Sequence, residues 1–174
     1  MDTPLIMGLC GKAQVGKDTC ADYLVERHGF KKLSFAAYLK EIAEHAGWNG
    51  LKDFRGRRFL NHLGDTMREY EPEIFIKEMR FRIKWLLENF PPGSTPRIVL
   101  SDVRMPNEIS LVRELGGVVC LVLRDVVGAQ EHATETMDAS KKDLVDFVLV
   151  NDGTHQQLYS GLEYILAGKS VKKD

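Results

Sequence analysis

The sequence predicts a three-layer α/β domain built on a parallel sheet. Three observations predict it. Short apolar runs alternate with stretches of helical periodicity, a glycine-rich loop joins the first run to the first helix, and polar clusters follow several predicted strands. With 174 residues the chain is long enough for one domain around a single sizeable core, so residues 1–174 are read as one unit. Crossover handedness then places helices on both faces of the sheet, and ligands gather at the carboxyl ends of its strands.

Each element follows from its own local signals. Leu5–Cys10 is an apolar run closed by Gly11, suited to a buried parallel strand. Asp18–His28 reads as a helix with Ala21, Leu24 and Val25 on one face and Gly29 just beyond its end. Lys32–Phe35 is read as a second strand and Ala36–Ala46 as a helix stopped by Gly47. Another helix is expected over Arg57–Arg68, and a long one from Pro72, placed at a first helical position, to about Phe90. The breaker "PPGSTP" follows as a surface loop. Ile98–Leu100 begins the next strand, Pro106 opens a helix ending near Gly116-Gly117, and Val118–Leu123 is a continuous apolar strand. Arg124–Asp143 is polar and irregular; Phe147–Val150 is the last strand, "NDGT" a turn, and Thr154–Leu166 the closing helix.

Composition narrows the function classes. A net charge of -1 argues against an electrostatic grip on long nucleic acid or an anionic membrane, despite the small cluster Arg55, Arg57 and Arg58. Three cysteines (Cys10, Cys20 and Cys120) without framework or metal-ligand spacing are expected as reduced thiols of a cytoplasmic protein. The first apolar run lacks a basic leader and is read as neither a signal peptide nor a membrane span.

Chemistry concentrates in "GKAQVGKDT". Gly11, Gly16 and Lys17 match G-x-x-x-x-G-K, in which backbone N–H groups and a helix N-terminus hold phosphate oxygens while the lysine reaches the outer phosphates. Gly11, Ala13, Val15, Gly16, Lys17, Asp18 and Thr19 are therefore the expected donor-nucleotide loop. Asp18 stands where such loops usually carry Ser or Thr, and Thr19 brings the hydroxyl one place later. Either offers oxygen to magnesium. The bland alternative is an ordinary helix start with Asp18 favourable to the dipole.

The loop together with "SDVRMPNE", "HATE" and "NDGT" resembles the bacteriophage-type deoxynucleoside monophosphate kinases, small P-loop kinases related in fold to adenylate kinase. The likeness runs in order from Ile6 to about Leu162, with Met105 where the family often has Phe. It implies a five-stranded parallel sheet, an acceptor-binding helical segment at about 36–90 and a lid at about 124–143. It also implies transfer of the γ-phosphate of ATP, with Mg2+, to a deoxynucleoside monophosphate, giving the diphosphate and ADP. A cytoplasmic place in a bacterial or phage-infected cell, a role in deoxynucleotide synthesis and compatibility with a homodimer come with the resemblance.

Phosphoryl transfer needs cations around the transferred group and in-line positioning. Lys17 is the first cation. Arg104, just beyond a strand, would hold the acceptor phosphate, and Asp102 stands where P-loop enzymes keep a carboxylate for magnesium. Their alternatives are a surface salt bridge from Arg104 to Glu108 and a turn cap by Asp102. Asn107 and Glu108 are candidates for the acceptor's base or sugar, although Glu108 also suits a third helical position. Arg68, in "NHLGDTMREY", resembles the family's "HLGT...R" segment and is the natural clamp for a monophosphate. Ser34, Phe35 and Ala36 resemble the acceptor-side loop, with Phe35 equally suited to the core, while Lys40 reads as a solvated charge. Arg124 would meet adenine or the donor phosphates. His132 and Glu135 resemble a His-x-Ser-Glu pattern with Thr134 in place of Ser. Asn151, Gly153 and Thr154 resemble the loop around the donor adenine, though as a turn into a helix they need no ligand. A P-loop kinase for another phosphorylated acceptor, such as phosphomevalonate or dephospho-coenzyme A, and a non-catalytic ATP-binding module are the competing readings.

Overall fold

Leu5–Cys10 is apolar throughout and buried on both faces from Ile6 onward, which is the environment of a central parallel strand. In the computed structural model, which describes residues 5–91, 93, 95–124 and 143–168, it forms β1. The elements then run α1 (Lys17–His28), β2 (Lys31–Leu33), α2 (Phe35–His45), α3 (Phe54–Tyr70), α4 (Ile74–Glu88), β3 (Arg97–Val103), α5 (Pro106–Glu114), β4 (Val118–Leu123), β5 (Phe147–Val150) and α6 (His155–Leu166). The five strands make one sheet in the order β2-β3-β1-β4-β5, every pair parallel. The expected five-stranded parallel α/β architecture is what the chain adopts. No described helix is long and apolar enough to cross a membrane.

The chain forms two compact units. The first holds the sheet with α1, α5 and α6. On one face of β1, Met7 and Leu9 join Leu24, Cys20 and Ala21 of α1 and Leu158, Leu162 and Ile165 of α6 in one core. On the other face Gly8 leaves room for α5: a Cβ there would come within 3.0 Å of both Val103 and Val112. Tyr23 of α1 stacks on Tyr159 of α6, with centroids 4.1 Å apart, and its hydroxyl donates to Glu163 at 2.6 Å.

The second unit, Ser34–Ser94, contains α2, α3 and α4. Arg82 of α4 braces it by donating to both carboxylate oxygens of Glu41, at 2.9 and 2.5 Å, and to Glu78 at 2.7 Å. Bidentate pairing of this kind fixes both charge and orientation.

Several boundaries differ from the sequence reading. The second strand ends at Leu33, and Phe35 instead opens α2 with its ring buried. Helix α3 starts at Phe54, earlier than Arg57, because the Asp53 side chain caps it by accepting the Gly56 N–H at 2.8 Å. Pro72 does not begin α4. It lies in a turn held by the Glu71 carboxylate, which accepts the Glu73 N–H at 3.2 Å, and the helix begins at Ile74. Strand β3 extends at both ends, through Asp102 to Val103.

Leu24 is fully buried between the sheet and α6. Leu24→Ala should lower unfolding free energy by about 2–5 kcal/mol, read as a reduced urea midpoint at unchanged slope.

Candidate active site

The chain leaves β1 toward β3 and β2 but leaves β4 toward β5, so connections diverge at the β1/β4 boundary. In open α/β sheets that divergence, at the carboxyl ends of the strands, is where a ligand crevice forms. The Gly11–Gly16 loop stands there.

Its backbone is unusual in a specific way. Gly11 (φ 135°), Gln14 (φ 63°) and Gly16 (φ 104°) all have positive φ within six residues. Alternating left-handed positions turn successive N–H groups inward and make an anion-binding concavity. Side chains are also excluded by contact. A Cβ on Gly11 would strike the Val122 carbonyl oxygen, and one on Gly16 would strike the Asn151 side-chain amide. Val15 anchors the loop from below, its side chain buried in the core beside Leu9 and Cys20.

Lys17 opens α1 and folds back over the loop, its Nζ donating to the Gly11 carbonyl at 2.9 Å and the Lys12 carbonyl at 2.5 Å. The ammonium is thus held above the loop's own start. Cys10 and Cys20 flank this turn as buried thiols. Burial raises both to about 12, against a lowering influence from the Lys17 charge. Asp18 points elsewhere: its carboxylate, 84% exposed, accepts Lys32 Nζ at 2.9 Å, and Lys32 pairs with Asp22 at the same distance. Partial burial disfavours the Lys32 charge, but its hydrogen bonds to Asp22 and Asp18 outweigh this and raise its pKa.

Beside β1, the end of β3 carries Asp102 and Arg104. Gly8 pairs with Leu100 and Cys10 with Val103, so β3 has one more residue than β1 across this stretch. Such a bulge re-aims side chains, and it falls at Ser101–Asp102. The following turn is locked by Glu108, a residue only 2% exposed, whose Oε2 accepts the Arg104 N–H at 2.6 Å and the Met105 N–H at 3.0 Å. This is the returning half of a capping box at the start of α5. The Glu108 carboxylate therefore acts on the backbone that presents Arg104, while Arg104 and Asn107 are half-buried.

At β5, Asn151 is buried and donates its side-chain N–H to the Val15 carbonyl at 2.8 Å. Thr154 caps α6 reciprocally with Gln157: the Gln157 N–H reaches Thr154 Oγ1 at 3.3 Å, and the Thr154 N–H reaches Gln157 Oε1 at 2.9 Å. Gly153 lies against the same cap, since a Cβ there would meet that Gln157 oxygen. Arg124, exposed, ends the described part of the β4 segment; His132 and Glu135 lie outside the described residues.

In the helical unit, Ser34 is the N-cap residue of α2, Phe35 is core and Ala36 is half-buried. Arg68 of α3 lays its guanidinium over the Phe75 ring, 4.6 Å from the centroid, with Asp65 Oδ1 at 3.9 Å. Gly64 makes space for it, since a Cβ there would come within 3.2 Å of Arg68 Nη1. The sequence signal is a glycine one turn before an arginine inside a helix.

A glycine-rich phosphate loop between the central strand and its helix, on a 2-3-1-4-5 parallel sheet, defines a P-loop kinase fold. No family model matches the chain. A protein of Acanthamoeba polyphaga mimivirus named "Putative deoxynucleotide monophosphate kinase" is 27% identical over 180 residues, covering 90% of this chain and 93% of that protein. Among solved structures, the chain is similar to TT1252 from Thermus thermophilus, with TM-score 0.58 and 20% identity over 99% of this chain and 100% of that one. It is also similar to dephospho-CoA kinase from Campylobacter jejuni, with TM-score 0.52 and 11% identity over 97% of this chain and 99% of that one. The mimivirus relative bears out the resemblance read from the motifs, and the two structures bear out the fold. Together with the loop they support an enzyme of the kinase type.

With Cys10 and Cys20 at about 12, their thiolates are rare at pH 8, and burial also raises Cys120 well above its ordinary value. Native protein at pH 8 should resist iodoacetamide at all three cysteines, whereas denatured protein should take up label at each. Mass spectrometry of the labelled chain checks this.

Proposed function

We propose that the protein transfers the γ-phosphoryl group of ATP to a deoxynucleoside 5′-monophosphate, giving the diphosphate and ADP. The observation that carries this reading is the loop with its positive-φ residues, its excluded side chains and Lys17 folded over it. The mimivirus relative's name supports the acceptor class.

In this reading the Gly11–Gly16 amides and the N-terminus of α1 receive the donor phosphates. Lys17 exchanges carbonyl partners for phosphate oxygens and follows the charge that develops on the transferred group. Arg104, its backbone fixed by Glu108, holds the acceptor phosphate from the end of β3. Within the helical unit, taken by itself, Arg68 is the candidate clamp for a monophosphate. It suits the role better than Arg82, which is committed to two carboxylates. Stacking on Phe75 orients the Arg68 fork without neutralising it.

The residues present fit Mg2+ bound mainly by phosphate and water. Asp102 at the β3 bulge and the Thr19 hydroxyl are hard oxygen donors, and no cluster of three metal-binding side chains occurs among the described residues. We assign the metal to Asp102 and Thr19 rather than Asp18, whose carboxylate is paired with Lys32. When bound, magnesium neutralises phosphate charge and templates the oxygens. Arg124 and Gly153 remain the candidates for contact with the donor nucleotide.

A second acceptor class, a phosphorylated molecule such as dephospho-coenzyme A, is favoured by the fold shared with the Campylobacter jejuni enzyme. One assay separates the two. ADP release with ATP-magnesium is measured against each common deoxynucleoside monophosphate and against dephospho-coenzyme A. Acceptor-dependent ADP is expected with one or more deoxynucleotides, and turnover confined to dephospho-coenzyme A overturns the assignment. Lys17→Ala should lower kcat by roughly 10²–10³-fold. Arg104→Ala and Arg68→Ala should raise the acceptor KM, with the KM for ATP little changed.

A further inference from the structure

The NDGT turn resembles a loop around the donor base, yet the Asn151 side chain faces the protein. Its residue is 6% exposed, its backbone N–H donates to the Leu123 carbonyl at 2.7 Å, and its side-chain Nδ2 donates to the Val15 carbonyl at 2.8 Å. We propose that Asn151 is a positioning residue of the phosphate loop, pinning the Val15–Gly16 peptide so that its N–H faces the donor's phosphates; the proposal rests on the kinase reading above.

The peptide bond supplies the argument. A peptide unit is planar and trans, so its C=O and N–H point in opposite directions. Fixing the Val15 carbonyl on Asn151 therefore fixes the Gly16 N–H on the opposite side. Gly16 needs such a pin. It must be glycine, because a Cβ would strike the Asn151 amide and because its φ is 104°. Glycine is also the residue that rotates most freely between alternative backbone states. The contact that demands glycine at position 16 thus also removes the freedom that glycine brings.

Sheet geometry makes Asn151 a firm post. Leu123 pairs with Val150 as the last rung between β4 and β5, and the Asn151 N–H extends that ladder by one bond. The Asn151 amide is thereby tied to the sheet, and through it the loop is tied as well. A base ligand would need the opposite arrangement, with its amide turned out of the protein.

The test compares inorganic tripolyphosphate, which probes the phosphate loop alone, with ATP. Calorimetric titrations are run on wild type, Asn151→Ala and Asn151→Asp, the last being isosteric but lacking the donor. Both variants should bind tripolyphosphate and ATP more weakly by the same factor, about tenfold. The KM for ATP should rise while that for the acceptor stays unchanged. Weakened ATP binding with unaltered tripolyphosphate binding would make Asn151 a base ligand and overturn the proposal, as would unaltered binding of both. If wild type binds neither probe, the kinase reading itself fails and takes the proposal with it. A measurement on wild type is independent of how the variants fold. The Asn151 side-chain amide protons should exchange with solvent more slowly when tripolyphosphate is bound, and unchanged exchange in the saturated protein overturns the proposal.

Discussion

Two glycines with no room for a Cβ set the terms for the rest of the sheet unit. At Gly11 the obstacle is the Val122 backbone and at Gly16 it is the Asn151 amide, so the loop is packed directly against the ends of β4 and β5. At Gly11 main chain packs on main chain, where no rotamer can relax into the gap, and at Gly16 the neighbouring amide is itself held by its hydrogen bond to the Val15 carbonyl. The same packing makes core and site one structure. Val15 reaches into the same apolar cluster as Leu24 and Leu162, so the packing that stabilises α1 and α6 also holds the loop in place. Displacing β4 or β5 would change the backbone directions offered to a phosphate.

Cations in this protein divide by what they already touch. Lys32 bridges Asp18 and Asp22, and Arg82 joins Glu41 and Glu78; their charges are satisfied by carboxylates and they act as braces. Lys17 is solvated by carbonyl dipoles, which compete weakly with a phosphate oxygen. Arg68 rests on an aromatic face with a single carboxylate oxygen at 3.9 Å. A full carboxylate charge competes with phosphate for a cation more strongly than a carbonyl dipole or an aromatic face does.

The elements that were legible in the sequence are those whose cause is local. An apolar run ended by glycine, a G-x-x-x-x-G-K spacing and a proline at the first turn of α5 each act within a few residues. What was not legible depends on partners far along the chain. Phe35 could extend a strand or open a helix, and burial within the helical unit decides for the helix. Glu108, in the first turn of α5, and Asn151, just after β5, are polar residues beside the candidate site, a setting in which capping and ligand binding call for the same residue types. Only the contacts distinguish them: Glu108 accepts from the backbone of its own turn, and Asn151 donates to a carbonyl 136 residues away.

The carboxylate at position 18 is where the loop departs most from the usual pattern, and Lys32 accounts for its being tolerated. A negative charge in the first turn of α1 interacts well with the helix dipole but repels an incoming polyphosphate. Pairing with Lys32 on β2 draws the Asp18 carboxylate outward and offsets its charge, while Asp22, one turn further along α1, helps hold the ammonium there. Thr19, which carries a hydroxyl one position later than loops of this kind usually do, is half-buried where Asp18 is exposed. The short strand β2 matters for this reason: it delivers Lys32 to the end of α1 where Asp18 stands.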